Sequence, residues 1–187
     1  MAGPGDPLKR KPKPKKKTGR KRLEKKTTIR NRLMRLWVEK VRLLNGDRCA
    51  VCGRAYGDVD SAGKACFLNA HHIDSRGTNP RLRWDALNGI LLCPRHHKFS
   101  KNSAHKGSIW FITWLMKYRW NQYVYIMGHR DEPIDTEDRG TLSAIEERLR
   151  SAPTRAELEV VGTKREERKE GMKEERGCDG SKVEQIG

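Results

Sequence analysis

The sequence contains no uninterrupted run of about 18 apolar residues, the length that a membrane-spanning helix requires. Its most hydrophobic stretch, residues 109–116, is short and is followed by Lys117. The basic N-terminal region also lacks the apolar segment of a secretory signal. We therefore expect a protein without a membrane span in a reducing compartment. That compartment is the cytoplasm of a bacterium or of a phage-infected host, or the nucleus if the chain is eukaryotic.

Apolar residues are scarce as well. They make up 35% of the 187 residues, aromatic residues make up 6%, and charged residues another 35%. This composition predicts that part of the chain stays outside the folded core. The net charge is +11 in residues 1–30, +11 in residues 31–130 and −5 in residues 131–187. The basic N-terminal part and the basic centre of the chain favour a polyanionic partner such as nucleic acid.

These patterns divide the chain into three segments. Residues 1–26 have almost no apolar side chains and many like charges, so they are expected to be a disordered basic arm. Residues 27–130 are expected to fold into one domain with flanking helices, with the motifs concentrated in residues 47–106. Residues 131–187 are interpreted as a charged tail, partly helical and partly disordered.

Hydrophobic periodicity predicts a few regular elements. Apolar residues recur at helical spacing from Thr27 or Thr28, which are candidate caps, to Leu44, where Asn45-Gly46 is a stop signal. Two short strands are expected at residues 66–70 and 90–92. Further helices are predicted within residues 107–127 and over 141–150, the latter capped by Thr141 or by a capping box of Ser143 and Glu146.

Two short motifs have the spacing of metal-binding knuckles. Cys49-x2-Cys52 is repeated 44 residues later as Cys93-x2-His96, with His in place of the second Cys. Three thiolates and one imidazole suit Zn2+, and five cysteines, an odd number, favour metal binding over disulfides. The alternative is two unrelated cysteine pairs in the core. Redox chemistry is less favoured, because no thioredoxin-like βαβ pattern surrounds Cys49.

Other residues complete a recognisable constellation. They are His71-His72, Asn88 and His97. Residues 82–85, which precede Asn88, and residues 103–105, which follow the second knuckle, also belong to it. Together with the knuckles they resemble the HNH endonuclease family, especially its small phage-type and bacterial members, over about residues 33–115. In this family the second knuckle usually ends in Cys followed by His, whereas here it ends in His96-His97. Either histidine could therefore be the fourth zinc ligand, and His96 is preferred.

The resemblance implies an α+β fold, with a small zinc-stabilised ββα-metal, treble-clef-like core flanked by helices. It implies that His71 and His97 bind one catalytic divalent ion, Mg2+, Mn2+, Ni2+ or Zn2+. His72 would be the general base, and Asn88 would hold the loop that carries the base. The implied activity is hydrolysis of DNA phosphodiester bonds to leave 5′-phosphate and 3′-hydroxyl ends.

The residue types make chemical sense on their own. Successive side chains of a strand point to opposite sides, so His71 can bind a metal while His72 faces a separate water. A neutral imidazole can take a proton from water at cellular pH. His105 stays open as a third metal ligand, a phosphate contact or an ordinary histidine. Four basic residues flank the site and either contact phosphates or form a solvated basic face: Arg83, Arg95, Lys98 and Lys101.

Two further functional hypotheses remain open at this stage. The chain could be a noncatalytic zinc-stabilised DNA-binding module in which the His pair is structural. It could also act only within a larger phage packaging or recombination machine.

Cys66 is interpreted as a buried strand residue, and the aromatic residues of 109–125 mainly as core. The sequence shows no coiled coil and no obvious dimer surface.

Overall fold

The computed structural model describes residues 25–59, 63–75, 77 and 79–162. In these residues a 3-10 turn, Ala86–Asn88, precedes the second strand, and a one-turn π-helix, Arg95–Phe99, follows it. The fold is α+β, as predicted, and mostly helical. Its helices and strands are α1 Lys26–Leu44, β1 Asn69–His72, β2 Gly89–Leu92, α2 Ser108–Tyr118, α3 Trp120–His129, α4 Arg139–Arg150 and α5 Arg155–Val161.

The predicted terminal segments fall largely outside this description. Of the basic arm predicted at residues 1–26, only the last two residues are described, and Lys26 already belongs to α1. Residues 163–187 of the predicted charged tail lie outside the described residues. Residues 131–162 hold α4 and α5, whose apolar sides are buried.

The first helix follows the predicted periodicity. Its buried side includes Leu33, Trp37 and Val41, and it ends at Leu44 as expected. Gly46 adopts a φ of 60°, a conformation that glycine reaches without the steric cost of a Cβ. The predicted cap at Thr27 or Thr28 is wrong, because the helix begins before them and its N-cap residue makes no side-chain hydrogen bond.

Helices α4 and α5 complete the larger of two apolar cores with α1. Leu142, Ile145 and Leu149 of α4 are buried there. Beneath α5, the side chain of Lys40 is only 1% exposed and pairs with Glu157 at 3.1 Å. Burial of this apolar area stabilises the helices in place, although each is short.

The caps of α4 and α5 differ from those predicted. Asp138 caps α4 by accepting a hydrogen bond from the Thr141 backbone N–H at 2.6 Å, so both predicted alternatives for this helix are wrong. A capping box does occur one helix later, where Thr154 and Glu157 bond each other's backbone N–H groups. This capping box was not among the predicted caps.

The sheet consists of two antiparallel strands, with His71 opposite Ile90 and Asn69 opposite Leu92. The second strand was predicted correctly and is fully buried. The first begins three residues later than predicted, at Asn69, so that buried Cys66 precedes it. Gly89 opens β2 against α1, and a Cβ at this position would collide with the Val41 side chain. Close packing of the sheet on α1 therefore requires glycine there.

A second, smaller core joins β2 to the first knuckle and to α2. Ile90 and Leu92 of the strand pack there with Phe111 and Leu115 of the helix. In the described part of the chain, no helix has the length and the apolar content needed to cross a bilayer. The sheet thus lies between two cores, and its ends carry the residues of the candidate site.

Candidate metal centres

The two knuckles converge on one point. The donor atoms of Cys49, Cys52, Cys93 and His96 all lie within 4.8 Å of one another and could hold a metal ion. Cys52 Sγ and Cys93 Sγ are 3.9 Å apart, and His96 Nδ1 is 3.2 Å from Cys93 Sγ and 3.7 Å from Cys49 Sγ. Around a tetrahedral zinc ion, the S–S and S–N separations are about 3.8 and 3.6 Å, so the donor set fits such an ion.

Backbone hydrogen bonds bring the knuckles together. The N–H of Ala50 donates to the Leu91 carbonyl at 2.8 Å, which ties the first knuckle to β2. Gly53 closes that knuckle by donating to the Cys49 carbonyl at 2.8 Å, with a φ of 73°. Cys93 directly follows β2. The sheet therefore fixes the separation of the two pairs of donors.

The electrostatics of this cluster favour the metal-binding form of its sulfurs. Hydrogen bonding to Cys49 and Cys52 holds the pKa of the Cys93 thiol well below its ordinary range. Burial lowers the pKa of His96, but hydrogen bonds to Cys49 and Cys93 outweigh that effect and raise it to about 10. A thiolate is the form in which cysteine binds metal, and a bound cation would take the place of the imidazolium proton.

A second cluster consists of three imidazoles. Donor atoms of His71, His97 and His105 lie within 4.8 Å of one another, and these residues too could hold a metal ion. The Nε2 atoms of His97 and His105 are 3.2 Å apart. Ring centroids are separated by 5.2, 5.0 and 4.8 Å, and the rings cross at 69–73°. His105, left open by the sequence, thus joins the two residues predicted as metal ligands.

The strand, the π-helix and the following loop supply one imidazole each. His71 lies on β1, and the backbone N–H of His97 donates to the Cys93 carbonyl at 2.8 Å. The loop then returns alongside the turn, since Ala104 N donates to the His96 carbonyl at 2.9 Å and His105 N to the His97 carbonyl at 3.2 Å. Because His96 and His97 are consecutive, the two clusters share one turn of backbone.

Two imidazoles of this second cluster, those of His71 and His97, are held in the neutral form. Burial, with smaller contributions from His97 and His105, lowers the pKa of His71 to about 3. Burial also lowers the pKa of His97, followed in size by the effects of His105 and Lys98. Neutral imidazole is the metal-binding form, so these two ligands are deprotonated at neutral pH.

His72 lies on the other side of β1. Its ring stacks on the indole of Trp37, and its Nε2 is 2.8 Å from the carbonyl oxygen of Arg83. A carbonyl oxygen only accepts hydrogen bonds, so Nε2 carries the ring proton and donates it. Nδ1 is therefore the basic nitrogen of a neutral His72.

Asn88 fastens the loop between the strands. Its side-chain amide donates to the carbonyls of Asp74 at 2.9 Å and Leu82 at 3.1 Å, and its Oδ1 accepts from the Asp74 N–H at 2.7 Å. The residue is fully buried. These three bonds fix both ends of the loop whose Arg83 carbonyl orients His72. Trp37 of α1 is the other contact of the His72 ring.

The predicted phosphate contacts divide into two groups. Arg95, Lys98 and Lys101 are exposed, on the π-helix or directly after it, beside the histidine cluster. Arg83 is half-buried, with its guanidinium 5.6 Å from the centre of the Trp84 ring. From Ala86 to Arg130 the sequence has no acidic residue and seven lysines or arginines. This segment, which includes His97 and His105, therefore carries positive charge only.

A comparison of the chain with protein-family models, with curated proteins and with solved structures found no match.

Proposed function

We propose that this chain is a metal-dependent endonuclease of the HNH type that hydrolyses DNA phosphodiester bonds. One observation carries the proposal. The imidazoles of His71, His97 and His105 converge on one point, while the ring of His72, the next residue of the same strand, donates its Nε2–H to a backbone carbonyl and keeps Nδ1 as its basic nitrogen. A cluster that can bind metal beside an oriented base is what hydrolysis of a phosphodiester requires.

The cysteine cluster is proposed to bind a structural Zn2+. Three sulfurs and one nitrogen at tetrahedral separations suit this ion, and all four positions are filled by protein donors. A site closed in this way has a structural role. It would join the two knuckles to β2 and so hold the π-helix on which His97 is placed.

The histidine cluster is proposed to bind the catalytic ion. Three imidazoles suit Zn2+ or Ni2+ better than Mg2+ or Mn2+, which prefer oxygen ligands. An ion with three protein ligands keeps positions for water and for a phosphate oxygen. When bound, it would neutralise charge that develops on the scissile phosphate and stabilise the leaving 3′ oxygen.

The other residues of the site would act on the proton and on the substrate. His72 Nδ1 would accept the proton of the attacking water, with the ring oriented by Trp37 and by the Arg83 carbonyl. Asn88 would keep that carbonyl in place as a positioning residue. Exposed Lys98 and Lys101 would contact the phosphates of the DNA, a sequence-independent source of affinity.

The test uses supercoiled plasmid and the purified full-length protein. Zn2+, Ni2+, Mn2+ and Mg2+ are supplied in turn, and we expect nicked or linear DNA with at least one transition metal. His72→Ala should lose this activity while keeping both metal sites. His129→Ala is the matched control, because His129 is a half-buried histidine outside both clusters, bonded to the Tyr125 carbonyl.

Two results would contradict the proposal. Equal cleavage by His72→Ala and the wild type would remove His72 as the base. One tightly bound metal per chain with no second divalent site, together with DNA binding but no cleavage, would favour the noncatalytic zinc-stabilised DNA-binding module instead.

A further inference from the structure

The outward sides of α2 and α3 carry a row of exposed apolar side chains. Its six side chains are between 39% and 84% exposed and recur at spacings of three or four residues, while Phe111, Leu115 and Ile126 of the same helices face the core. We call this surface the apolar stripe, and its members are Ile109, Ile112, Met116, Trp120, Val124 and Met127.

The absence of charge along these helices is unusual for this chain. Charged residues make up 35% of the sequence, but residues 108–129 contain only Lys117 and Arg119. Arg119 is buried and donates to the Asn45 side chain, and Lys117 lies 5.0 Å from the centre of the Tyr118 ring. The stripe itself therefore has the composition of an interface core, which is poor in charge and rich in Trp and Met.

We propose that the apolar stripe is the interface of a homodimer. In a two-fold dimer the same surface of each chain meets its copy, so a surface whose charges are all positive would repel itself. The chain has a net charge of +17, and a surface that carries none of this charge avoids the repulsion. The six side chains of the apolar stripe meet that condition.

The size of the surface also fits. From their exposed fractions, the six side chains expose on the order of 600 Å2. A stable interface buries about 800 Å2 per partner, of which somewhat more than half is apolar. The stripe can therefore supply the apolar part of a dimer interface of ordinary size.

The chain's own termini do not have the composition to cover the stripe. Residues 163–187 contain three large apolar side chains. Residues 1–24 contain Met1, Leu8 and Leu23 among ten lysines and arginines. A dimer formed through the stripe requires no catalytic activity, and it would be the assembly in which the proposed nuclease operates.

The test is the mass of the full-length, metal-loaded protein in solution, measured by sedimentation equilibrium over a range of concentrations. We expect a concentration-dependent rise from 21.6 kDa to twice that mass. Ile112→Glu on α2 and Met127→Glu on α3 should each weaken the dimer at least about tenfold, because each buries a charge that has no partner. The matched control is Leu43→Glu, at a residue of α1 that is 61% exposed, and this variant should dimerise normally.

Circular dichroism and metal content would show that each variant remains folded. A wild-type chain that stays monomeric at every concentration overturns the proposal and would leave the stripe to a different protein. A dimer that survives both stripe substitutions, or that Leu43→Glu weakens equally, overturns it as well. Plasmid cleavage by a strictly monomeric wild type would separate this failure from failure of the nuclease proposal.

Discussion

The imidazole of His72 lies flat against the indole of Trp37, with 3.8 Å between ring centroids and 5° between ring planes. Trp37 is 1% exposed, and its Nε1 donates to the backbone carbonyl of Asp85 at 2.9 Å. The proposed base is therefore supported by a side chain that is itself fixed on two sides. Its position depends on the packing of α1 as well as on the strand that carries it.

Trp37→Phe should consequently lower DNA cleavage about tenfold with both metal sites intact. Phenylalanine keeps an aromatic face for His72 but loses the N–H donor. The Asp85 carbonyl keeps its bond from the Asn88 N–H, so the loss of the one buried hydrogen bond costs about 0.5–1.5 kcal/mol. Cleavage rates and melting temperature measure the two effects separately. Trp114→Phe is the control, since Trp114 is a comparably buried tryptophan of α2 that stacks on Phe111. Equal losses in both variants would show that the effect is only one of stability.

Cys93→Ser should remove the tightly bound metal and with it much of the fold. The smaller core holds few apolar side chains, and the free energy of metal binding at such a site contributes directly to folding. Metal analysis is expected to show one ion fewer per chain, and thermal unfolding should lose cooperativity. Cys66→Ala is the matched control, because Cys66 is equally buried but lies outside the cluster. Retention of the metal by Cys93→Ser would contradict the assignment.

His105→Ala should weaken binding of the second ion about 100-fold and leave the cysteine site loaded. The loss of one direct ligand is expected to cost at least as much as the loss of an outer partner, which costs about 10–100-fold. Titration of the zinc-loaded protein with Ni2+ or Zn2+, followed by calorimetry, gives the affinity. His129→Ala should bind the second ion normally. Unchanged affinity in His105→Ala would mean that only His71 and His97 hold the ion.

Local periodicity and spacing predicted a large part of this architecture. Helix α1 was predicted because its apolar residues repeat at helical spacing over many positions. Strand β2 was predicted from a brief run of three consecutive apolar residues. The knuckle spacing likewise identified the four donors that the fold brings together. These features depend on neighbouring residues in the sequence.

The remaining features depend on contacts between distant segments. Strand β1 begins later than predicted because its polar sequence is fixed by pairing with β2, so its own alternation is weak. Eight residues separate His105 from His97, and only the return of the loop along the π-helix brings the two together. The contact of Trp37 with His72 joins α1 to β1, and the sequence pattern of neither segment indicates it.

Lys98→Ala and Lys101→Ala should each reduce the salt dependence of DNA binding. Each phosphate contact that is lost lowers the slope of log K against log salt by about 0.9 for duplex DNA. Binding is measured by fluorescence anisotropy in the His72→Ala background, so that the DNA stays intact. Arg155→Ala is the control, because Arg155 is exposed on α5 and pairs with Glu159. A slope unchanged in both lysine variants would place the DNA elsewhere on the protein.

Acid should weaken the docking of α5 on α1. Burial alone would raise the pKa of Glu157, but hydrogen bonds from the Thr154 backbone and from Lys40 outweigh it and hold the pKa below its ordinary value of 4.5. A carboxyl group whose pKa is lower in the folded state stabilises the fold fully above its unfolded pKa, and this contribution is lost as the pH falls through the folded pKa. The free energy of unfolding should therefore decrease as the pH is lowered below about 4.5.

Glu157→Gln tests this directly. At pH 7 the variant should be less stable than the wild type by about 1–3 kcal/mol, since Lys40 is left buried without its counter-charge. Because glutamine does not titrate, the difference should shrink as the pH falls and approach zero once Glu157 is protonated in the wild type. Urea unfolding at several pH values gives both curves. Glu159→Gln, at an exposed residue of the same helix, should follow the wild type throughout, and a Glu157→Gln curve parallel to the wild type would contradict the assigned role of the Lys40 pair.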